Sequence, residues 1–521
     1  MSQRVQTYRL PLNKGGYCAN PNIGAIDPLQ MVDSSWNINI HNGKREHRGG
    51  TSIINTLTDA SQIMGICEYN TSGTQFIVRA TANGKIWKNV TTTIHTGWTV
   101  DKYVSFTALN GNIYASNGAD TIRYWDGAAA SMTAITSLHA DWTGTNHPSQ
   151  ILTHTRGQSR RMIALGCPTT PYSVYISANN AAQFLTADGG LVFDIEVKNP
   201  RDTGLAGMGK YGDRIIFFTQ FEAFYLNDTD ASSANWGIIP LQIDIGASHW
   251  RNIINTPNDL IVADRSLNIF SMSAVQEYGD YKVASLTIPA RMDKWIRDNL
   301  DLSQIAKSHI CYDPKLRLIK FFAARTGDTQ VKLALVYWID AEKPEYAWSP
   351  PHVNFNNNSG YNASCSAVVE KTTGDFKIYT GDYAGRMWEL ETANKNDNSV
   401  AFTSEIDFPY LDFDNPRNNK LYKNIRAVGE AIGNWDVTII PFVDGTQLTS
   451  TDISLGGGGD VYGTGAYGTA EYGGAEIVDD WAIVGSMGKR IKGELLNSGL
   501  NEGFAFTELL FDYIDLEAQN E

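Results

Sequence analysis

Short apolar runs of four or five residues recur along this chain, each followed by a small polar turn and a second run rich in aromatics. FIVRA at 76–80 leads through Asn83-Gly84 to Ile86-Trp87, and GNIYA at 111–115 leads through Asn117-Gly118 to IRYW at 122–125. RIIFF at 214–218 precedes AFYL at 223–226, and LIVA at 260–263 precedes NIF at 268–270. RLIKF at 317–321 precedes LVYW at 335–338, and FKIY at 376–379 leads through Gly381-Asp382 to GRMW at 385–388. Runs this short, bounded by Asn-Gly and related pairs, read as β-hairpins rather than helices. The long gap between 115 and 214 has room for one more unit, around SVYIS at 173–177.

A single hairpin cannot bury its apolar face, but a ring of them can. Units of roughly 40–60 residues with two legible strands each predict four-stranded propeller blades. The fold class expected is therefore all-β: a β-propeller over residues 36–395 with six to eight blades, seven as the working count. A large sandwich, or two, would use the same alternating strands. Before it, residues 1–35 are rich in Gly, Pro, Asn and Asp and read as an irregular arm. The first strand expected in the propeller is WNINI at 36–40, with a turn at His41-Asn42-Gly43-Lys44. Helical spacing of Met292, Trp295, Ile296 and Leu300 predicts one helix, packed on the ring as a blade connection.

Residues 396–521 have another texture. DVTIIPF at 436–442, RIKGELL at 490–496 and AFTELLFDY at 505–513 read as strands of a small antiparallel β-sandwich. Between the first two lies a Tyr-Gly loop, 456–475, in which Tyr462, Tyr467 and Tyr472 recur every five residues. That period fits neither helix nor strand. The loop either packs on its own domain or docks against a neighbouring subunit, where tyrosine is enriched.

Charge sharpens the boundary. The net charge is −14, and residues 401–521 carry 20 Asp and Glu against 7 Lys and Arg, leaving −1 for residues 1–400. An acidic surface argues against tight binding to nucleic-acid phosphates. No apolar run reaches the roughly 18 residues of a membrane span. The opening MSQRVQTYRL lacks the apolar core of a signal peptide, and the five scattered cysteines (Cys18, Cys67, Cys167, Cys311, Cys365) read as free thiols of a reducing compartment.

Candidate chemistry is thin. His41/His47 and His139/His147 lack metal-site spacing, and Ser486 in Gly485-Ser486-Met487-Gly488 does not have the glycine two residues before it that a nucleophile elbow requires. The glycines of 456–474 form no phosphate loop. Asp412 and Asp414 are spaced for a calcium loop without its other ligands. The sialidase-type Ser-x-Asp-x-Gly-x-Thr-Trp box is absent. The expectation is no enzyme, no catalytic residues, no cofactor and no metal.

Several segments resemble the β-propeller tail proteins of tailed bacteriophages, the nozzle and hub proteins of short-tailed phages. They are DSSWNI at 33–38 running to KREHRGG at 44–50, LNGNIYASNG at 109–118, RRMIALGCP at 160–168 with VYIS at 174–177, ICYDP at 310–314, LVYW at 335–338 and YAWS at 346–349. The Tyr-Gly loop inside a terminal sandwich is similar too. The family's usual Arg-Pro-Gly is Arg48-Gly49-Gly50 in this chain. The resemblance implies a structural virion protein of the tail, assembled in the host cytoplasm without membrane insertion. It implies a ring of copies, six by expectation, around the DNA exit channel, with Tyr462, Tyr467 and Tyr472 at subunit interfaces. Expected neighbours are the head-side connector or adaptor and distal tail or fibre proteins, while genome DNA passes without specific binding. The acidic bias fits such a conduit, and places the C-terminal domain nearest the DNA. The competing expectation is a carbohydrate-binding or glycan-cleaving propeller, which needs a cluster of carboxylates, arginines or aromatics at a channel mouth.

Overall fold

The computed structural model describes residues 4–516 apart from 13–14, 19–26, 28, 32–33, 42–43, 72, 275–280, 288–291, 355–358 and 457–476. Seven four-stranded antiparallel sheets form a β-propeller, and two further sheets form a sandwich. Blade 1 comprises Ile63–Thr71, Thr74–Thr81, Ile86–Lys88 and Thr92–His95, and blade 2 comprises Ser105–Leu109, Asn112–Ser116, Arg123–Trp125 and Thr133–Ala134. Blades 3 to 6 begin at Gln150–Arg156, Gly207–Tyr211, Ile253–Asn255 and His309–Asp313. Blade 7 is composite: Cys365–Thr372, Asp375–Gly381 and Arg386–Thr392 are completed by Gly50–Thr56, which forms its outermost strand. The first strands of successive blades are neighbours all the way round, and blade 7 meets blade 1. The ring is thus closed by a strand from the other end of the chain.

The hairpins legible in the sequence are the second and third strands of their blades. These are sandwiched between neighbouring blades and buried on both faces, so they read as continuous apolar runs. In blade 4, Ile215, Ile216, Phe217 and Phe218 are all fully buried, each worth about 1.5–3 kcal/mol on the usual scale. The outer strand of that blade, Gly237–Pro240, is half-buried to exposed and carries no such signal.

The sandwich corrects two expectations. Ile38–His41 and Lys44–His47, placed in the propeller by the sequence, belong instead to the sandwich sheet that also contains Ala505–Asp515, Lys420–Glu430 and Ile477–Gly488. The reason lies in the pattern: Lys44–His47 alternates half-buried and buried residues, which suits a sheet covered on one face. The arm is also not wholly irregular, since Gln6–Pro11 pairs with Ala505–Asp515 along its length. The second sheet holds Ser404–Asp407, Ile491–Asn497, Asp436–Val443, Thr446–Gln447 and Thr451–Ser454.

Propeller and sandwich share a core. Ile425, Val437, Leu495 and Phe511 of the sandwich belong to the same buried cluster as Phe321, Leu335 and Trp348 of blade 6. The expected helix is Met292–Asn299, and its Met292, Trp295 and Ile296 enter that cluster, with Tyr17 of the arm edge-on to Trp295.

Candidate functional site

The innermost strand of each blade is an edge strand whose free backbone groups face the propeller axis. Side chains stitch these edges together. Ser105 Oγ donates to Ile151 O and accepts from Ile151 N, and Gln150 brackets Met208 in the same way, donating to its carbonyl (2.9 Å) and accepting from its N–H (2.7 Å). Ser364 Oγ donates to Ile63 O across the seam between blades 7 and 1 (2.5 Å).

All seven inner strands contribute to a central cavity of about 360 Å³. Its wall includes Phe106, Trp250, Lys210, Arg251, His309 and Cys365, and no lining residue is a carboxylate. Arg251, which leads into blade 5, crosses one mouth. Its guanidinium carbon lies 3.3 Å from the ring centre of Tyr103, at the start of blade 2, and its Nη atoms donate to Ser364 O (3.1 Å) and to Ala306 O. Burial pulls this arginine below its ordinary pKa. The His309 ring stacks on Phe322 (4.6 Å), and burial and the Arg251 charge hold it neutral.

A buried ionic cluster joins ring to sandwich. Arg48 and Asp397, both fully buried, pair in bidentate fashion at 2.7 and 3.0 Å. The Arg48 guanidinium also lies over Phe402 and Tyr361 and donates from Nε to Asn37 Oδ1 (2.9 Å). Beside it, Glu391 receives Lys320 Nζ (2.6 Å), Tyr361 OH (2.9 Å) and Gly49 N (2.7 Å). Burial raises the Glu391 carboxyl, but Lys320, His352 and Arg48 outweigh it and hold the group well below the usual carboxylate range. The Arg48-Gly49-Gly50 passage has a steric reason here. A Cβ on Gly49 would meet Glu391 Cα at 2.4 Å, and one on Gly50 would meet the carbonyls of Asn394 and Asn396 at 2.1 Å.

The third feature lies on the sandwich surface. Ile477–Gly488 is the last strand of its sheet, bonded on one side to Lys420–Glu430 and without a strand partner on the other among the described residues. Its outward row presents Ile477, Trp481, Ile483 and Met487, which are 61, 52, 70 and 66% exposed. Edge strands of natural sheets are usually blunted by charge, proline or a cover; among the described residues this one carries an apolar stripe broken by a single charge, Asp479, which pairs with Arg426.

No protein-family model matches the chain, and no curated protein matches it. It is similar to solved β-propeller structures at low identity. One is YCF48 bound to a D1 peptide (10% identity, TM-score 0.39, covering 68% of this chain and 96% of that one). Another is BBS1N in complex with ARL6DN (12%, TM-score 0.40, 67% and 96%). A third is virginiamycin B lyase from Staphylococcus aureus (12%, TM-score 0.40, 66% and 98%). The propeller is read from its own ring of seven sheets.

Tyr462, Tyr467 and Tyr472 lie outside the described residues. Asp412 and Asp414 occupy a turn in which Asp414 N donates to Asp412 Oδ1 (3.2 Å), and no group of three or more metal-ligating side chains occurs among the described residues. His47 is buried between Phe402 and Phe504, and Ser486 sits within the edge strand. The five cysteines are free thiols. Sequence reasoning missed Arg251 and the apolar edge strand. The strand's signal, Ile477, Trp481, Ile483 and Met487 at odd-numbered positions of one face with Asp479 the one charged residue among them, was there to be found beside the Tyr-Gly segment.

Proposed function

We propose that this protein is a structural component of a bacteriophage tail, assembling as a ring of copies and docking other tail proteins, and that it is not an enzyme. The observation that carries the reading is the exposed apolar edge strand Ile477–Gly488 on a strongly acidic sandwich. An edge that is open among the described residues, with Ile477, Trp481, Ile483 and Met487 facing outward, is a surface suited to pairing with another chain. Two further observations support it. The propeller's own cavity is small and its mouth is crossed by Arg251, so a DNA path would run between copies and not through the blades. The wall of that cavity also lacks the paired carboxylates that glycan cleavage uses, which weighs against the depolymerase alternative. In the ring, the acidic sandwich would face the genome and repel its phosphates, letting it slide.

Sedimentation of the full chain tests this. A closed oligomer is expected for the wild type, and a monomer for Ile483→Lys, which places a charge in the apolar row. A wild type that stays monomeric at high concentration, alone and with tail extracts, would sink the proposal.

A further inference from the structure

The central cavity contains an uncompensated positive charge. Arg251 is 8% exposed and is held by two backbone carbonyls, by the face of Tyr103 and by a side-chain hydrogen bond to that tyrosine, with no carboxylate partner among the described residues. Lys210, on the inner strand of blade 4, also lines the cavity and forms no ion pair among the described residues. The thiols of Cys67 and Cys365 on the same wall are pushed to about 12 by burial and stay neutral. His309 is neutral as well, and its buried Nε2 has no hydrogen-bond partner. The ionised groups on this wall are therefore cations alone. Among the other buried cations, Arg48 has Asp397 and Lys320 has Glu391, whereas Arg79 is held, among the described residues, only by Asn55 Oδ1 and the Asn89 carbonyl and borders no such cavity. Burying a charge without a counter-charge is unfavourable, and two such cations facing one cavity make it a place that suits an anion.

Size and lining narrow the class. About 360 Å³ falls at the lower end of small-molecule sites, roughly 300–1,000 Å³. Phe106, Trp250, Ile253 and Ile310 supply apolar wall beside the two cations. A guanidinium fork matches a planar carboxylate in two hydrogen bonds, and the apolar wall suits a hydrocarbon body. We infer that the propeller's central cavity is a binding site for a small organic carboxylate, held by Arg251 and Lys210. The free edges of the inner strands and the unpartnered His309 Nε2 then offer places for a ligand hydroxyl or amide.

The test is titration calorimetry of the full chain with benzoate, its neutral isostere benzamide, and inorganic phosphate. Saturable binding of benzoate is expected, at least tenfold tighter than either of the others. Lys210→Met, at a half-buried position outside the stitching contacts, is expected to weaken benzoate at least tenfold while leaving the circular dichroism and melting profile of the free protein in place. Arg251→Lys, which keeps the charge but loses the fork, is expected to weaken it similarly. Benzamide or phosphate binding as well as benzoate, no binding at all, or a folded Lys210→Met that binds as the wild type does would overturn the assignment. None of these readouts depends on ring assembly, so the site stands or falls separately from the tail function.

Discussion

The propeller and the sandwich are both antiparallel sheets buried on themselves, yet they handle charge and edges in opposite ways. Residues 1–400 are nearly neutral, and the propeller hides its inner edges around an axis where side chains bridge one blade to the next. The sandwich concentrates almost all the net charge and, among the described residues, leaves a long strand open at its margin. A propeller leaves only short edges, at its axis and its rim, whereas the sandwich sheet ends in a twelve-residue strand, so the longer surface for meeting other molecules falls on the sandwich. The two nevertheless share one buried cluster and one ionic junction, which argues that they fold as a single cooperative unit.

The strongest way to break that unity is Arg48→Met. It strands the fully buried Asp397 without its partner, so a loss of about 3–5 kcal/mol is expected. In calorimetry the single transition of the wild type should split into two. A single transition at unchanged temperature would mean that the junction couples nothing.

Gly50→Ala acts on the same seam by size alone. Its Cβ would fall 2.1 Å from two carbonyl oxygens, so a loss of about 1–3 kcal/mol is expected in denaturant titration. The same substitution at Gly73, where nothing lies within 4 Å of the added carbon, controls for crowding, although its positive φ of 76° adds a smaller strain of its own.

Glu405 sharpens the contrast in charge. Burial, reinforced by the Glu494 and Asp407 charges, pushes it up to about 7. Its folded pKa therefore exceeds the unfolded one, the folded state holds the extra proton, and stability falls as pH rises from about 4.5 to 7. Because the group is partly solvated, Glu405→Gln should stabilise by only about 1 kcal/mol at pH 8 and have no effect at pH 4, read from melts across pH. A gain that is equal at both pH values would remove the ionisation from the explanation.

Ile483→Lys should change stability least, within about 0.5 kcal/mol, because the side chain is mostly exposed. Its effect belongs to assembly, and a large stability loss would show that the edge strand is a core element and not a surface.

The legible part of the fold was the part buried on both faces. The second and third strands of blades 1, 2, 4, 5, 6 and 7 stood out as apolar runs, while inner strands such as Ile253–Asn255 are too short to show a period. Domain membership was harder, because the hairpin of Ile38–His41 and Lys44–His47 sits beside the first propeller strand in sequence but pairs with Ala505–Asp515. Nothing local encodes a partner more than 450 residues away. Arg251 was equally silent: a lone arginine after Trp250 acquires its meaning only when Tyr103, Ala306 and Ser364 converge on it.

The composite seventh blade also sets how the molecule bears load. Gly50 and Thr392 are paired at one end of their ladder, and from that end both strands run directly into the sandwich. A pull on the sandwich against a fixed ring would therefore peel the ladder open from its fork, rung by rung, instead of shearing all rungs at once. Arg48 and Asp397 sit at that fork, one on each departing strand, and act as a rivet that must give before the zipper can run.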